Sequence, residues 1–195
     1  MTATNYAPPL DKLLTLGDAR PTMGQWPDYR QDGLTPEHIP DLIRMATDEE
    51  LNRSESASTQ VWAPVHAWRA LGQLGAESAA EPLTSLFHLI DDSNDDMVNE
   101  ELPDVLGLIG PAAVPSVAAY LADASRGLWA RVCAARSLGE IGRRHPDARD
   151  QCVAVLARQL EHFEEQDKSL NAFLVGPLRP ARRRICAGDG TRFCG

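Results

Sequence analysis

The 195-residue sequence lacks the features that mark membrane, secreted and metal-binding proteins. No apolar run approaches the roughly 18 residues that cross a bilayer, and the N-terminus has no basic segment followed by an apolar stretch. The four cysteines, Cys133, Cys152, Cys186 and Cys194, stand at no metal-ligand or redox spacing, and the first two fall within apolar helical patterns. We therefore expect a cytoplasmic protein with reduced cysteines, no bound metal and no membrane association.

A catalytic set is also missing. The histidines at 66, 88, 145 and 162 are not clustered in the sequence, and no Ser/His/Asp or Cys/His combination can be assigned without assuming contacts. The acidic run over residues 91–104 lacks the glycine and the final glutamate of a calcium loop, so we interpret it as a solvated loop between repeats. The sequence predicts a protein that is not an enzyme and that needs no cofactor.

Basic residues are scarce over most of the chain. The first 177 residues hold 14 basic and 27 acidic side chains, a net charge of -13, whereas residues 178–195 carry five arginines and one aspartate. A strongly acidic surface repels phosphate groups, and proteins that bind nucleic acids normally show the opposite balance. We therefore exclude DNA and RNA as partners.

What the sequence has instead is a repeated phrase. The stretch "ALGQLG" at 70–75 returns as "VLGLIG" at 105–110 and as "SLGEIG" at 137–142. The first glycines of the three phrases are 35 and 32 residues apart, within the range of roughly 20 to 50 residues that is typical of stacked repeats. Apolar residues recur upstream of each glycine every three to four positions, as on an amphipathic helix.

Each phrase predicts the first helix of a helical hairpin. The first glycine allows a neighbouring helix to approach, and the second glycine, at Gly75, Gly110 or Gly142, is expected at a left-handed helix end. Second helices are expected to follow over residues 78–90, 111–121 and 147–163. Such hairpins stack because one hairpin cannot bury its own apolar face.

Two columns of the repeat carry large side chains. Trp62, Met97 and Trp129 share one position, which we interpret as packing between repeats. Arg69 and Arg136 share another, and we expect each to form a local structural ion pair.

The two ends depart from the repeat. Residues 1–34 are interpreted as a degenerate first repeat with a helix over Pro9–Leu16 and a loop over residues 17–33, and the next helix begins with Thr35 as its N-cap. The repeat array is expected over residues 35–176. Residues 177–195 form an irregular basic tail, which is either disordered or the product of a reading-frame change, and the uncapped C-terminal edge of the array predicts self-association.

The repeats resemble those of a known protein family. The pattern A-x-x-A-L-G-x-[LI]-G in "AWRALGQLG" and "CAARSLGEIG" is similar to HEAT repeats, above all the short bacterial HEAT-like repeats of phycocyanobilin lyase subunits. The resemblance implies an all-α fold, a right-handed α-solenoid of stacked antiparallel hairpins whose second helices line a concave surface for protein partners. On the outer faces of those helices, the partner-binding candidates are Glu81, His88, Tyr120, Arg158 and His162.

The resemblance also implies alternative functions. One is an accessory or lyase-like subunit that handles a tetrapyrrole or a modified protein. A HEAT-like DNA glycosylase would need a cationic concave face, which the acidic charge disfavours. Deoxyhypusine hydroxylase, which resembles this architecture, binds iron through His-Glu pairs in columns that here hold Val65-His66, Glu100-Glu101 and Val132-Cys133, so no pair is retained. We expect a non-catalytic interaction module or scaffold.

Overall fold

The computed structural model describes residues 6–52 and 58–178, and within these ranges all regular secondary structure is helical. The α-helices, in chain order, are α1 (Ile39–Ala46), α2 (Glu49–Asn52), α3 (Ala63–Gln73), α4 (Ala80–Ser85), α5 (His88–Ser93), α6 (Asp96–Ile109), α7 (Val114–Ala122), α8 (Leu128–Arg144), α9 (Arg149–Leu160) and α10 (Lys168–Leu178). Short 3-10 turns precede several of them. The predicted all-α class is confirmed.

The three repeated phrases lie on α3, α6 and α8, and their periodic apolar residues form the core. Leu71, Leu106 and Leu138, which stand directly before the first glycine, are fully buried. Helix α3 packs on α6, α6 on α8 and α8 on α10, while the second helices α4, α7 and α9 pack in the same order beside them. Among the described residues, the repeat helices therefore contact one another in the order in which they follow along the sequence.

Glycine sets the spacing within the first layer. A Cβ at Gly72 would lie 3.3 Å from Val105 Cγ1 of α6, so the missing side chain permits the close packing of the two helices. Gly75 follows the end of α3 with a φ of +61°, as expected, whereas Gly110 ends α6 with a φ of +87° and a ψ of −148°, so the predicted left-handed conformation is wrong there. The same prediction is wrong for Gly142, because α8 continues to Arg144 and ends only where the His145 N–H donates to the Ile141 carbonyl.

Two second-helix predictions change in detail. The predicted helix over 78–90 breaks into α4 and α5, and the break buries Phe87 completely against the ring of Tyr120. Phe163, predicted on an apolar helix face, lies beyond the end of α9 and is 57% exposed, because the chain turns there to reach α10. The acidic run at 91–104 is mostly helical, since Asp95 caps α6 by accepting from the Val98 N–H.

The tryptophan column does not behave as one set. Trp62 and Met97 pack partly buried against the core, whereas Trp129 is 48% exposed. Trp129 makes the predicted contact with the next unit, because its ring packs edge-on against Phe173 of α10, but this contact lies at the surface, since Phe173 is itself 41% exposed. The two cysteines expected in apolar patterns, Cys133 and Cys152, are buried free thiols.

The N-terminal segment is less helical than predicted. In place of a helix over Pro9–Leu16, the structure has a 3-10 helix over Leu10–Leu14, and two further 3-10 turns, Arg20–Thr22 and Tyr29–Asp32, lie within the predicted loop. The expected N-cap at Thr35 forms a capping box with His38. The predicted basic tail lies outside the described residues apart from its first two positions, which belong to α10.

Candidate functional site

The second helices leave two adjoining grooves at the surface. Groove 1, defined by residues of α4 and α7 and by Glu77 and Arg126 at its ends, has a volume of about 710 Å³. Groove 2 lies between α7 and α9, has a volume of about 480 Å³ and is also lined by residues 165–167. The candidate surface therefore comprises α4, α7 and α9, and α7 contributes residues to both grooves.

Small side chains of α7 line both grooves. Ala112, Pro115 and Ala119 line groove 1, and Ala118 and Ala122 line groove 2. Small residues on a helix surface allow the backbone of another segment to approach closely. The surface is therefore shaped for a chain that lies across the helices.

The floor of groove 1 contains hydroxyl groups from both helices. Thr84 Oγ1 on α4 lies 3.2 Å from Ser116 Oγ on α7, and the two hydroxyls also donate to the carbonyls of Ala80 and Ala113, respectively. Their remaining lone pairs can accept a hydrogen bond from a bound group.

Tyr120 forms one end of groove 1. Its ring packs edge-on against Phe87 with centroids 5.3 Å apart, and the guanidinium carbon of Arg126 lies 4.9 Å from its centre. Arg126 Nε also donates to Asp123 Oδ2 at 2.9 Å. Burial raises the pKa of Tyr120, and its hydroxyl has no hydrogen-bond partner among the described residues.

The other end of groove 1 is acidic. Glu77 and Glu81 are exposed, line the groove and form no ion pair or hydrogen bond among the described residues. Asp123 differs from them because hydrogen bonds from the Ser125 side chain and backbone, together with Arg126, hold its pKa below the usual value. Two unpaired carboxylates therefore remain in groove 1.

Groove 2 has a mixed charge. Arg158 is exposed and has no ion pair among the described residues, while His162 lies 3.8 Å from Glu165 with both side chains exposed. Gln159 and Gln166 both line the groove, and Gln159 Nε2 donates to Gln166 Oε1 at 2.7 Å.

The structure distributes the five predicted contact residues over these grooves. Glu81 and Tyr120 line groove 1, and Arg158 and His162 line groove 2. His88 lies outside both, at the start of α5, with its Nδ1 2.6 Å from the Ser85 carbonyl. Tyr120 is 7% exposed rather than placed on an outer face, because the break between α4 and α5 brings Phe87 against it.

Sequence reasoning missed several groove residues. Glu77 was overlooked although it stands four residues before Glu81, a spacing that places both on one side of a helix. The Thr84–Ser116 contact has no local signal, because it joins residues 32 positions apart.

Two residues of this chain that stand in the iron-binding columns of deoxyhypusine hydroxylase form structural contacts instead. His66 contacts the Tyr29 hydroxyl and the Gly17 carbonyl, and Glu101 pairs with Arg69. Burial raises the pKa of Cys133 to about 12. No group of three or more potential ligands for a metal ion occurs in the described part of the chain.

Membrane-spanning potential is limited to one combination. Over residues 6–52 and 58–178, no single helix is long and apolar enough to cross a membrane. Among the helices of the described ranges, the pair Asp96–Ile109 and Pro111–Ala122 passes by length and composition, with a bend of 117° between them.

Comparisons with known proteins add no relative. Neither the protein-family models nor the curated proteins nor the solved structures match this chain.

Proposed function

We propose that this chain is a HEAT-like right-handed α-solenoid that acts as a non-catalytic protein-interaction module or scaffold. Its partner binds across α4, α7 and α9, the surface that contains both grooves. The single observation that carries the proposal is that α7 lines both grooves and, apart from Tyr120, does so with small side chains.

The shape of the surface supports a macromolecular partner. Each groove is open to solvent along the helices, and together they present alanine and proline contacts with polar groups at their margins. A helix or an extended segment recognised by a helical protein typically uses such a groove, with side chains placed in it at regular intervals. An apolar centre with a polar rim is also the usual anatomy of a protein interface.

A steric variant tests this proposal. Tyrosine at Ala119 and Ala122 fills groove 1 and groove 2 without changing the charge, and both alanines are exposed. Tagged protein is used for affinity capture from its native host, followed by mass spectrometry. We expect a stoichiometric protein partner that is captured by the wild type and lost by Ala119→Tyr/Ala122→Tyr.

The matched control places the same side chains elsewhere. Ala154 and Ala157 are exposed on α9 and line neither groove, so Ala154→Tyr/Ala157→Tyr should retain the partner. Capture that is equal for the two double variants contradicts the proposed surface.

The alternative function, a subunit that handles a tetrapyrrole, stays a prediction. Its simplest test is absorbance after adding a bilin, since binding in a protein groove changes the environment of the chromophore. An unchanged spectrum counts against it.

A further inference from the structure

We infer that groove 1 binds a cationic segment of the partner, with an arginine or lysine side chain beside Glu77 and Glu81. This inference rests on the proposed function, because it names the partner chemistry of the same surface.

The first argument is charge. Glu77 and Glu81 line one end of the groove, and no cation among the described residues pairs with them. Some exposed carboxylates have a local partner, as Asp28 has Arg30 at 2.7 Å and Asp41 has Arg44 at 2.9 Å, whereas Glu77 and Glu81 combine the lack of a partner among the described residues with a position in a groove. Two unpaired carboxylates four residues apart repel each other, and a bound cation relieves that repulsion.

The second argument comes from the opposite end of the groove. There Arg126 lies over the ring of Tyr120 while it pairs with Asp123. A guanidinium is stabilised when it lies over an aromatic ring and pairs with a carboxylate at the same time. Arg126 is therefore already paired, and it does not neutralise the two glutamates.

The third argument concerns the side chains in the middle of groove 1. Pro115 and Ala119 offer a short apolar wall, and Thr84 and Ser116 offer acceptor oxygens below it. An arginine or lysine side chain has an apolar stem and a charged head, so the stem fits the wall while the head reaches the carboxylates. Phosphate or acidic segments, in contrast, would meet like charge at Glu77 and Glu81.

The test uses the full chain and a defined probe. Fluorescence anisotropy is measured with a labelled peptide of alternating arginine and alanine, and with a peptide in which citrulline replaces every arginine. We expect the arginine peptide to bind more tightly than the citrulline peptide. In Glu77→Lys/Glu81→Lys we expect its affinity to fall at least about tenfold, since two favourable charge contacts become repulsive.

A control separates the groove from the general acidity of the chain. Glu37 and Glu164 are exposed, lie outside groove 1 and allow the same change of net charge in Glu37→Lys/Glu164→Lys. This variant should lose less than about twofold in affinity, because distant charges are screened by salt. Equal losses in the two variants, or no binding of the arginine peptide to the wild type, overturn the inference.

The steric variant distinguishes the two proposals. If Ala119→Tyr/Ala122→Tyr loses a captured partner while Glu77→Lys/Glu81→Lys retains it, the surface is correct and the cationic segment is wrong. If neither variant loses the partner, both proposals fail.

Discussion

Arg69 and Glu101 form a fully buried ion pair that joins α3 to α6, with Arg69 Nε 2.5 Å from Glu101 Oε2 and Nη2 donating to Oε1. Arg69 is 0% and Glu101 3% exposed. The guanidinium also donates to the Ala19 carbonyl and to Thr22 Oγ1, so one side chain connects two repeat helices with the N-terminal segment. The ion pair is therefore a central element of this end of the fold.

Removing one member of this pair should be severe. Glu101→Gln leaves a buried guanidinium without its counter-charge, and such changes typically cost about 3 to 5 kcal/mol in the free energy of unfolding. Urea denaturation followed by circular dichroism measures the loss. Glu100→Gln, one residue away on the exposed side of α6, is the control and should change stability by less than about 1 kcal/mol.

A double variant identifies the cause of that loss. Arg69→Met/Glu101→Leu removes both charges, so we expect it to recover part of the stability lost by Glu101→Gln. A double variant that is less stable than the single one contradicts the explanation by an unpaired charge and indicates that the bonds from Arg69 to the N-terminal segment dominate.

His66 makes the same region sensitive to pH. Its Nε2 lies 2.9 Å from the Gly17 carbonyl and must donate, so the neutral Nδ1 accepts from the Tyr29 hydroxyl at 2.7 Å. Burial lowers the pKa of His66 below 6.5, and the nearby Arg69 lowers it further. A lowered pKa means that the folded state favours the neutral ring, so this stability is complete above the unfolded pKa near 6.5 and is lost as pH falls below it.

The expected slope is at most about 1.4 kcal/mol per pH unit, the limit for one proton. Chemical denaturation at several pH values between neutral and mildly acidic measures it. In His66→Gln the slope over this range should decrease, because the amide keeps a hydrogen-bonding group and does not titrate. An identical pH dependence in wild type and variant shows that other groups are responsible.

The repeat helices could be predicted because their signals are local. The apolar period before Gly72 and the left-handed position at Gly75 lie within one helix, and both are found as expected. The attachment of the N-terminal segment had no such signal, because His66, Arg69 and Gln73 reach residues 44 to 50 positions away. The sequence marked Glu81 and Tyr120 by their repeat position, but the burial of Tyr120 depends on the distant Phe87.

The cap of α8 comes from another helix. Its N-terminal residue is preceded by Gly127, which has no side chain to accept hydrogen bonds, and the carboxylate of Asp91 accepts from the backbone N–H groups of Trp129 at 3.2 Å and Ala130 at 2.8 Å. Asp91→Ala should therefore lower stability by about 1 kcal/mol, as the loss of a cap usually does. Asp92→Ala, at the next exposed carboxylate, should have no measurable effect.

Gly127 provides the space for this cap. An added Cβ would lie 2.1 Å from Asp91 Oδ2, so Gly127→Ala must displace the carboxylate. We expect a loss similar to that of Asp91→Ala, and little further loss when the two changes are combined. In the Asp91→Ala background, Gly127→Ser should restore part of the stability by capping α8 locally. Additive losses in thermal denaturation would falsify the shared mechanism.

The last prediction is self-association through the C-terminal edge expected from the sequence, which we define here by Trp129 of α8 and Phe173 of α10. Leu170 and Leu174 are fully buried, whereas Phe173 on the same helix is 41% exposed and packs edge-on against Trp129, which is 48% exposed. Contiguous exposed apolar residues favour association. We expect sedimentation velocity to show a mass that increases with concentration, and Phe173→Glu to shift it toward the monomer.

The control for this prediction lies at the other end of the chain. Leu16 is 46% exposed, so Leu16→Glu introduces the same charge at a similarly exposed apolar residue. If association depends on α10, Leu16→Glu retains it, because the repulsion between charged copies acts only where the surfaces meet. A monomer at every concentration in the wild type refutes the prediction, whereas equal loss in both variants attributes association to general apolar exposure instead of to this edge.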